Sequence, residues 1–123
     1  MNNTLRTALA VLSLAVGTAA TAAFPDKPIK VVIGFPAGGP LDQHARLLTD
    51  KLQAALGQPL IVDYKPGAGG SVGADAVAKS PADGYTLMLA NTGVAVINGA
   101  LYSKLPYDTQ RDFVPIARTA MQP

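Results

Sequence analysis

The chain has 123 residues, with ten Lys and Arg against eight acids, all of them Asp, for a formal charge of +2. It carries no Cys and a single His, which excludes a disulfide framework and thiol chemistry. It also leaves His44 unable to build a metal site without several carboxylate partners. A charge so near neutrality, with no clustered basic patch, excludes a nucleic-acid footprint.

Residues 1–22 read as a secretory signal peptide. "MNNTLR" is a short n-region with one charge, Arg6, followed by an apolar, alanine-rich run. Small residues at Ala20 to Ala22 suit cleavage. A membrane span needs roughly 20 strongly apolar residues, and this run is shorter and thinned by Thr and Ser. The mature, exported chain then starts at Ala23 or Phe24, with no stable membrane insertion once the signal is cleaved. Residues 23–123 are about the size of one domain.

The segment "IKVVIGF", Ile29 to Phe35, is almost continuously apolar and β-branched, which predicts a strand buried on both faces. Leu41, Ala45, Leu48, Leu52 and Ala55 then recur at steps of four and three, predicting a helix to Leu56 that stops at Gly57 and Pro59. "LIVDY", Leu60 to Tyr64, is a second strand and "SVGADAVAK", Ser71 to Lys79, a second helix. "YTLMLA", Tyr85 to Ala90, is a third strand, "VAVINGALY" a weaker helix, and "VPIAR", from Val114, the start of a fourth strand. Alternating strands and helices predict an α/β fold, a parallel sheet with helices on both faces.

Right-handed crossovers place the corners PAGGP, PGAGG and NTG at one edge of that sheet, where open α/β sheets bind ligands. Each corner is either a tight turn, for which Gly and Pro are the ordinary choice, or a donor-rich anion site. A helix N-terminus supplies unpaired N–H groups and partial positive charge, and glycine lets a ligand approach the backbone. Asp42 is expected as the N-cap of the first helix, with direct ligand contact as the other role. Ser71 is either the cap of the second helix or a hydroxyl donor to ligand, and Thr92 is a candidate donor at the third corner. His44 reads as a solvated surface residue. Tyr85, Tyr102, Tyr107, Phe113 and the methionines read as core or loop packing.

Enzyme signatures do not assemble. The phosphate-cradling P-loop is absent, and "GAGGSVG" fails the dinucleotide pattern because Val72 stands where Gly or Ala is required. There is no G-x-S-x-G elbow. No cofactor, metal or catalytic group is expected.

The stretches "KPIKVVIGFPAGGPLDQHARLL", "LGQPLIVDYKPGAGGSVGADAVAKSPADGYTLMLANTG" and "INGALYSKLPYDTQRDFVPIA" resemble, in order, the N-terminal part of the Bug (TctC-like) family of periplasmic solute-binding proteins. The resemblance runs from Pro25 to Pro123. It implies the partial first lobe of a two-lobe, Venus-flytrap periplasmic-binding-protein fold that clamps a small carboxylic acid. It also implies an inner-membrane permease of the tripartite tricarboxylate type as partner of the intact protein. The ligand-binding positions it implies are Phe35, Pro36, Ala37, Gly38, Gly39 and Asp42 in the first corner, Gly69, Gly70 and Ser71 in the second, and Asn91, Thr92 and Gly93 in the third. Two positions depart from the family pattern: Leu41, where a small hydroxyl residue is usual, and Asn98-Gly99, where Asn-Pro is usual.

Family members are roughly three times as long, so residues 23–123 are expected to be an incomplete N-terminal lobe, a fragment or truncated form. Micromolar affinity needs about 8 kcal/mol, whereas an exposed helix end contributes about 0.3–1 kcal/mol, so an open lobe needs a closing surface. The alternative readings are an exported α/β enzyme acting on carboxylates through Asp42 or His44, and a remnant that binds nothing.

Overall fold

The computed structural model describes residues 23–121, so the expected signal peptide, residues 1–22, lies outside the described residues. Strand β1, Ile29–Ile33, is the middle of a three-stranded sheet. Strand β2, Leu60–Tyr64, pairs with it in parallel on one side, Ile29 opposite Leu60 and Ile33 opposite Tyr64. Strand β3, Thr86–Leu89, pairs in parallel on the other, Val31 opposite Leu87 and Ile33 opposite Leu89. A central strand is shielded on both faces, and Val32 and Ile33, which point to opposite faces, are the largest fully buried side chains.

The strand order β2-β1-β3 fixes where the helices go. Helix α1, Pro40–Leu56, joins β1 to β2, and helix α2, Ser71–Ala78, leads from β2 back past β1 toward β3. Two crossovers of the same hand running in opposite directions across a sheet land on opposite faces. The contacts agree: the Tyr64 hydroxyl, on the face shared by Ile29, Val31 and Leu60, reaches α1 at Asp42. Ala74 of α2 packs with Met88, Val94 and Tyr107 on the other face. There the Tyr107 and Phe113 rings meet edge to face at 5.7 Å. The doubly covered parallel sheet expected from the sequence is the fold observed.

Several local expectations are corrected. Helix α1 begins at Pro40, with Gly39 as its N-cap, so Asp42 lies in the first turn and is not the cap. Proline suits the first helical position because the N–H it lacks would have no helical partner there. The buried stripe of α1 is Asp42, Ala45 and Thr49, while Leu52 and Ala55 are exposed. Polar anchors set the rotation of the helix: Asp42 is tied to Tyr64, and the Gln53 side chain accepts the Leu60 N–H at 2.9 Å. These residues repeat at three- and four-residue steps, so a single face holds all of them.

The weak helix after β3 opens as a π-turn, Gly93–Ile97, and continues as helix α3, Asn98–Leu101. The fourth strand expected at Val114 does not form. A strand exists by pairing with a neighbour, and Val114 and Ile116 are 87% and 78% exposed with no ladder beside them.

Candidate functional site

Parallel pairing brings the ends of all three strands to one edge, and glycine lets the loops there touch. A Cβ on Gly34 would sit 2.7 Å from the Gly70 backbone, and one on Gly73 would sit 2.9 Å from Gly34 Cα, so the first and second corners are in direct backbone contact. A Cβ on Gly70 would collide with Val94 at 2.5 Å and with the Phe35 ring at 3.1 Å, which binds the second corner to the third and back to the first. Gly69 and Gly70 take left-handed φ values of +62° and +91° inside the short 3-10 turn Ala68–Gly70, conformations that favour glycine.

The first corner is braced from within. Asp42, 3% exposed, accepts the Gly38 N–H at 2.8 Å through one carboxylate oxygen. Its other oxygen accepts the Tyr64 hydroxyl at 2.6 Å and Arg46 Nε at 3.0 Å. The Tyr64 hydroxyl, then the Gly38 amide and Arg46, hold the Asp42 carboxyl below its ordinary pKa, and the same contact raises that of Tyr64. With its charge neutralised and its oxygens occupied, Asp42 shapes the loop: the Gly38 amide turns onto the carboxylate. Among the described residues the backbone amides of Gly39, Leu41 and Asp42 have no acceptor.

At the second corner several amides are already committed: Gly70 N–H to the Gly67 carbonyl at 2.9 Å, and Ser71 N–H to Ala68. Gly70 is the N-cap of α2, so Ser71 is its first helical residue and not its cap. The buried Ser71 hydroxyl is turned inward, 3.0 Å from Asn98 Nδ2 and 3.4 Å from the Tyr107 hydroxyl. At the third corner the Asn91 side chain accepts the Val94 N–H at 3.0 Å, as a helix cap does. The amides of Thr92 and Gly93 have no acceptor among the described residues.

The implied residues therefore gather at one edge, with different exposures. Pro36, Ala37, Gly38, Gly69, Asn91 and Thr92 are exposed; Phe35, Gly39 and Gly93 are half-buried; Asp42, Gly70 and Ser71 are buried. The sequence reading did not single out Arg46 or Tyr64 and gave Asn98 no contact, whereas Tyr107, read as core or loop packing, is buried in the core. Arg46 carried a signal, being four residues after Asp42 on a helix; Tyr64 and Asn98 meet their partners only through the tertiary fold. His44 is half-buried, its Nε2 3.0 Å from the Thr119 hydroxyl. Two open hollows, about 220 and 520 Å³, flank Tyr102 and Leu105 beside α3 and take in only Ala68 and Ser71 of the second corner and its end. Among the described residues no cluster of three His, Cys, Asp or Glu could hold a metal ion, and no helix is long and apolar enough to cross a membrane.

Residues 44–123 match the profile of the tripartite tricarboxylate transporter family receptor, TctC. Protein BugT of Bordetella pertussis is 42% identical over 116 residues, covering 89% of this chain and 36% of BugT. MatC from Rhodopseudomonas palustris, solved with bound malate, superposes with a TM-score of 0.72 at 40% identity, covering 75% of this chain and 31% of MatC. A second R. palustris protein, solved with adipate, gives a TM-score of 0.68 at 34% identity over 71% of this chain and 29% of that protein. The chain thus spans about a third of the length of the relatives it matches.

Proposed function

The chain belongs to the tripartite tricarboxylate transporter receptor family, TctC, and from that premise we propose that it captures a small carboxylate in the periplasm, with residues 23–123 as the carboxylate-facing N-terminal lobe of a two-lobe receptor. Export is by a signal peptide at residues 1–22, and delivery is to an inner-membrane permease. The observation that carries the reading is the contact of the strand-to-helix corners at one sheet edge, Gly34 against Gly70 and Gly70 against Val94.

A carboxylate fits that edge better than a cation or a neutral sugar. The free amides of Gly39, Leu41 and Asp42 lie in the first turn of α1, where the helix dipole favours an anion. The amides of Thr92 and Gly93 approach from the third corner, and Gly69 offers bare backbone between the two. The one acidic side chain nearby, Asp42, is sequestered by Arg46, Tyr64 and Gly38 and does not oppose the ligand. Malate and adipate, bound by the two R. palustris relatives, define the ligand class to try first. The role is binding without turnover, as suits a receptor family, with Asp42 committed to bracing the loop through three donors.

Isothermal titration of the two-lobe receptor that carries this lobe, with malate, adipate and an uncharged polyol, is the test. Saturable heat from an acid, none from the polyol, and the acid recovered unchanged are the expected result. Equal response to the polyol, or conversion of the acid to product, overturns the reading.

A further inference from the structure

The second corner is held by a residue far from it in sequence. Asn98 lies at the end of the π-turn, is 5% exposed, and sends its side-chain amide nitrogen to two acceptors, the Gly69 carbonyl at 3.2 Å and Ser71 Oγ at 3.0 Å. A carbonyl only accepts, so the nitrogen end of the amide must face Gly69. Ser71 Oγ in turn lies 3.4 Å from the Tyr107 hydroxyl, closing a buried polar network drawn from three separate segments.

The peptide unit between Gly69 and Gly70 is consequently pinned at both ends. Its N–H is held by the Gly67 carbonyl at 2.9 Å and its C=O by Asn98. With no Cβ on either side, this peptide plane has conformational freedom that other residues lack, and a rotated plane exchanges a carbonyl for an amide on the exposed side of the corner. A carbonyl dipole turned toward a bound carboxylate repels it. We propose that Asn98 is a positioning residue of the carboxylate site: it draws the Gly69 carbonyl inward, fixes the Gly69–Gly70 peptide plane, and locks the second corner against the third. This role rests on the carboxylate reading above. It gives a function to the Asn half of Asn98-Gly99, the half that this chain shares with the family's usual Asn-Pro.

The test compares Asn98→Asp with Tyr107→Phe in the two-lobe receptor by calorimetric titration of malate and adipate. Asn98→Asp keeps the side-chain volume and replaces the donor by an acceptor that faces the Gly69 carbonyl. Tyr107→Phe perturbs the same buried network without touching that carbonyl. Asn98→Asp is expected to weaken binding about tenfold, with a displaced and faster-exchanging Gly70 amide resonance. Tyr107→Phe is expected to leave both readouts near wild type. Wild-type affinity in Asn98→Asp, or equal losses in the two variants, overturns the positioning role alone. A wild-type protein that binds neither acid overturns the carboxylate reading and this role together. If Asn98→Asp does not fold, Asn98→Ser carries the same comparison, because its shorter side chain also loses the bond to Gly69.

Discussion

At the scale of single residues, the structure separates glycines that are turns from glycines that are contacts. Gly57 ends α1 with φ +67° and open space where a side chain would stand, so Gly57→Ala meets only the left-handed backbone penalty, about 1 kcal/mol. Gly70 adds to a φ of +91° a collision at 2.5 Å with Val94, and Gly70→Ala is expected to cost about 3 kcal/mol or more. Urea unfolding of the two variants checks the difference. Asp42 supports a prediction of its own. Its carboxyl sits below the ordinary value of 3.8 in the folded protein, the Tyr64 hydroxyl being the largest cause, so its ionised form is what the fold prefers. That contribution is complete above the unfolded pKa and is lost as pH falls through the lowered folded one. The Tm gap between the wild type and Asp42→Asn should therefore be constant above about pH 5 and close progressively below about pH 4.

At the scale of elements, helix α1 shows how polar anchors can override an apolar pattern. Leu41, Ala45, Leu48, Leu52 and Ala55 follow the helical period, yet the face turned to the sheet is centred on Asp42, Ala45 and Thr49. A hydrophobic stripe fixes the rotation of a helix only to the width of the stripe, and two hydrogen bonds to β2, Asp42 to Tyr64 and Gln53 to Leu60, fix it more narrowly. Leu47, 69% exposed, should accept Leu47→Glu with a change within about 0.5 kcal/mol. Ala45 is buried, and Ala45→Leu should destabilise by about 1–3 kcal/mol through overpacking. The missing fourth strand carries the complementary lesson. "VPIAR" has strand-forming residues and a fitting place in the alternation, but propensity for strand is largely a measure of packing against neighbours. Val114→Ser with Ile116→Ser is accordingly expected to leave the unfolding midpoint unchanged within about 2 °C.

At the scale of the whole molecule, the strand order does the decisive work. With β1 central and successive crossovers running to opposite sides, α1 and α2 cover opposite faces, and the loops that end the neighbouring strands β1 and β3 leave toward opposite faces, to Asp42 on one and Val94 on the other. Doubly wound sheets bind ligands at such a place. The free amides come from two helix starts, while Asp42 and Asn98 brace the corners from behind. Adding malate should raise the Tm of the receptor, the gain growing with the logarithm of malate concentration even past saturation, and the same concentration of a neutral polyol should not, as differential scanning fluorimetry would show.

Much of this protein was legible in its sequence, for a physical reason. Strand and helix periods, helix-stopping Gly57 and Pro59, and the three glycine-rich corners are local signals, and local backbone preferences suffice to write a parallel α/β alternation with its corners on one edge. The signature stretches extended that reading to a family that the TctC profile then matched. The tertiary structure alone decided which neighbours complete each corner. Tyr64 reaches Asp42 across 22 residues, Asn98 reaches Gly69 across 29, and Tyr107 reaches Ser71 across 36. No periodicity encodes such pairs, because they depend on where the crossovers deliver each segment in space. The rotation of α1 and the absence of a strand at Val114 were settled in the same way, by contacts made or not made between distant parts of the chain.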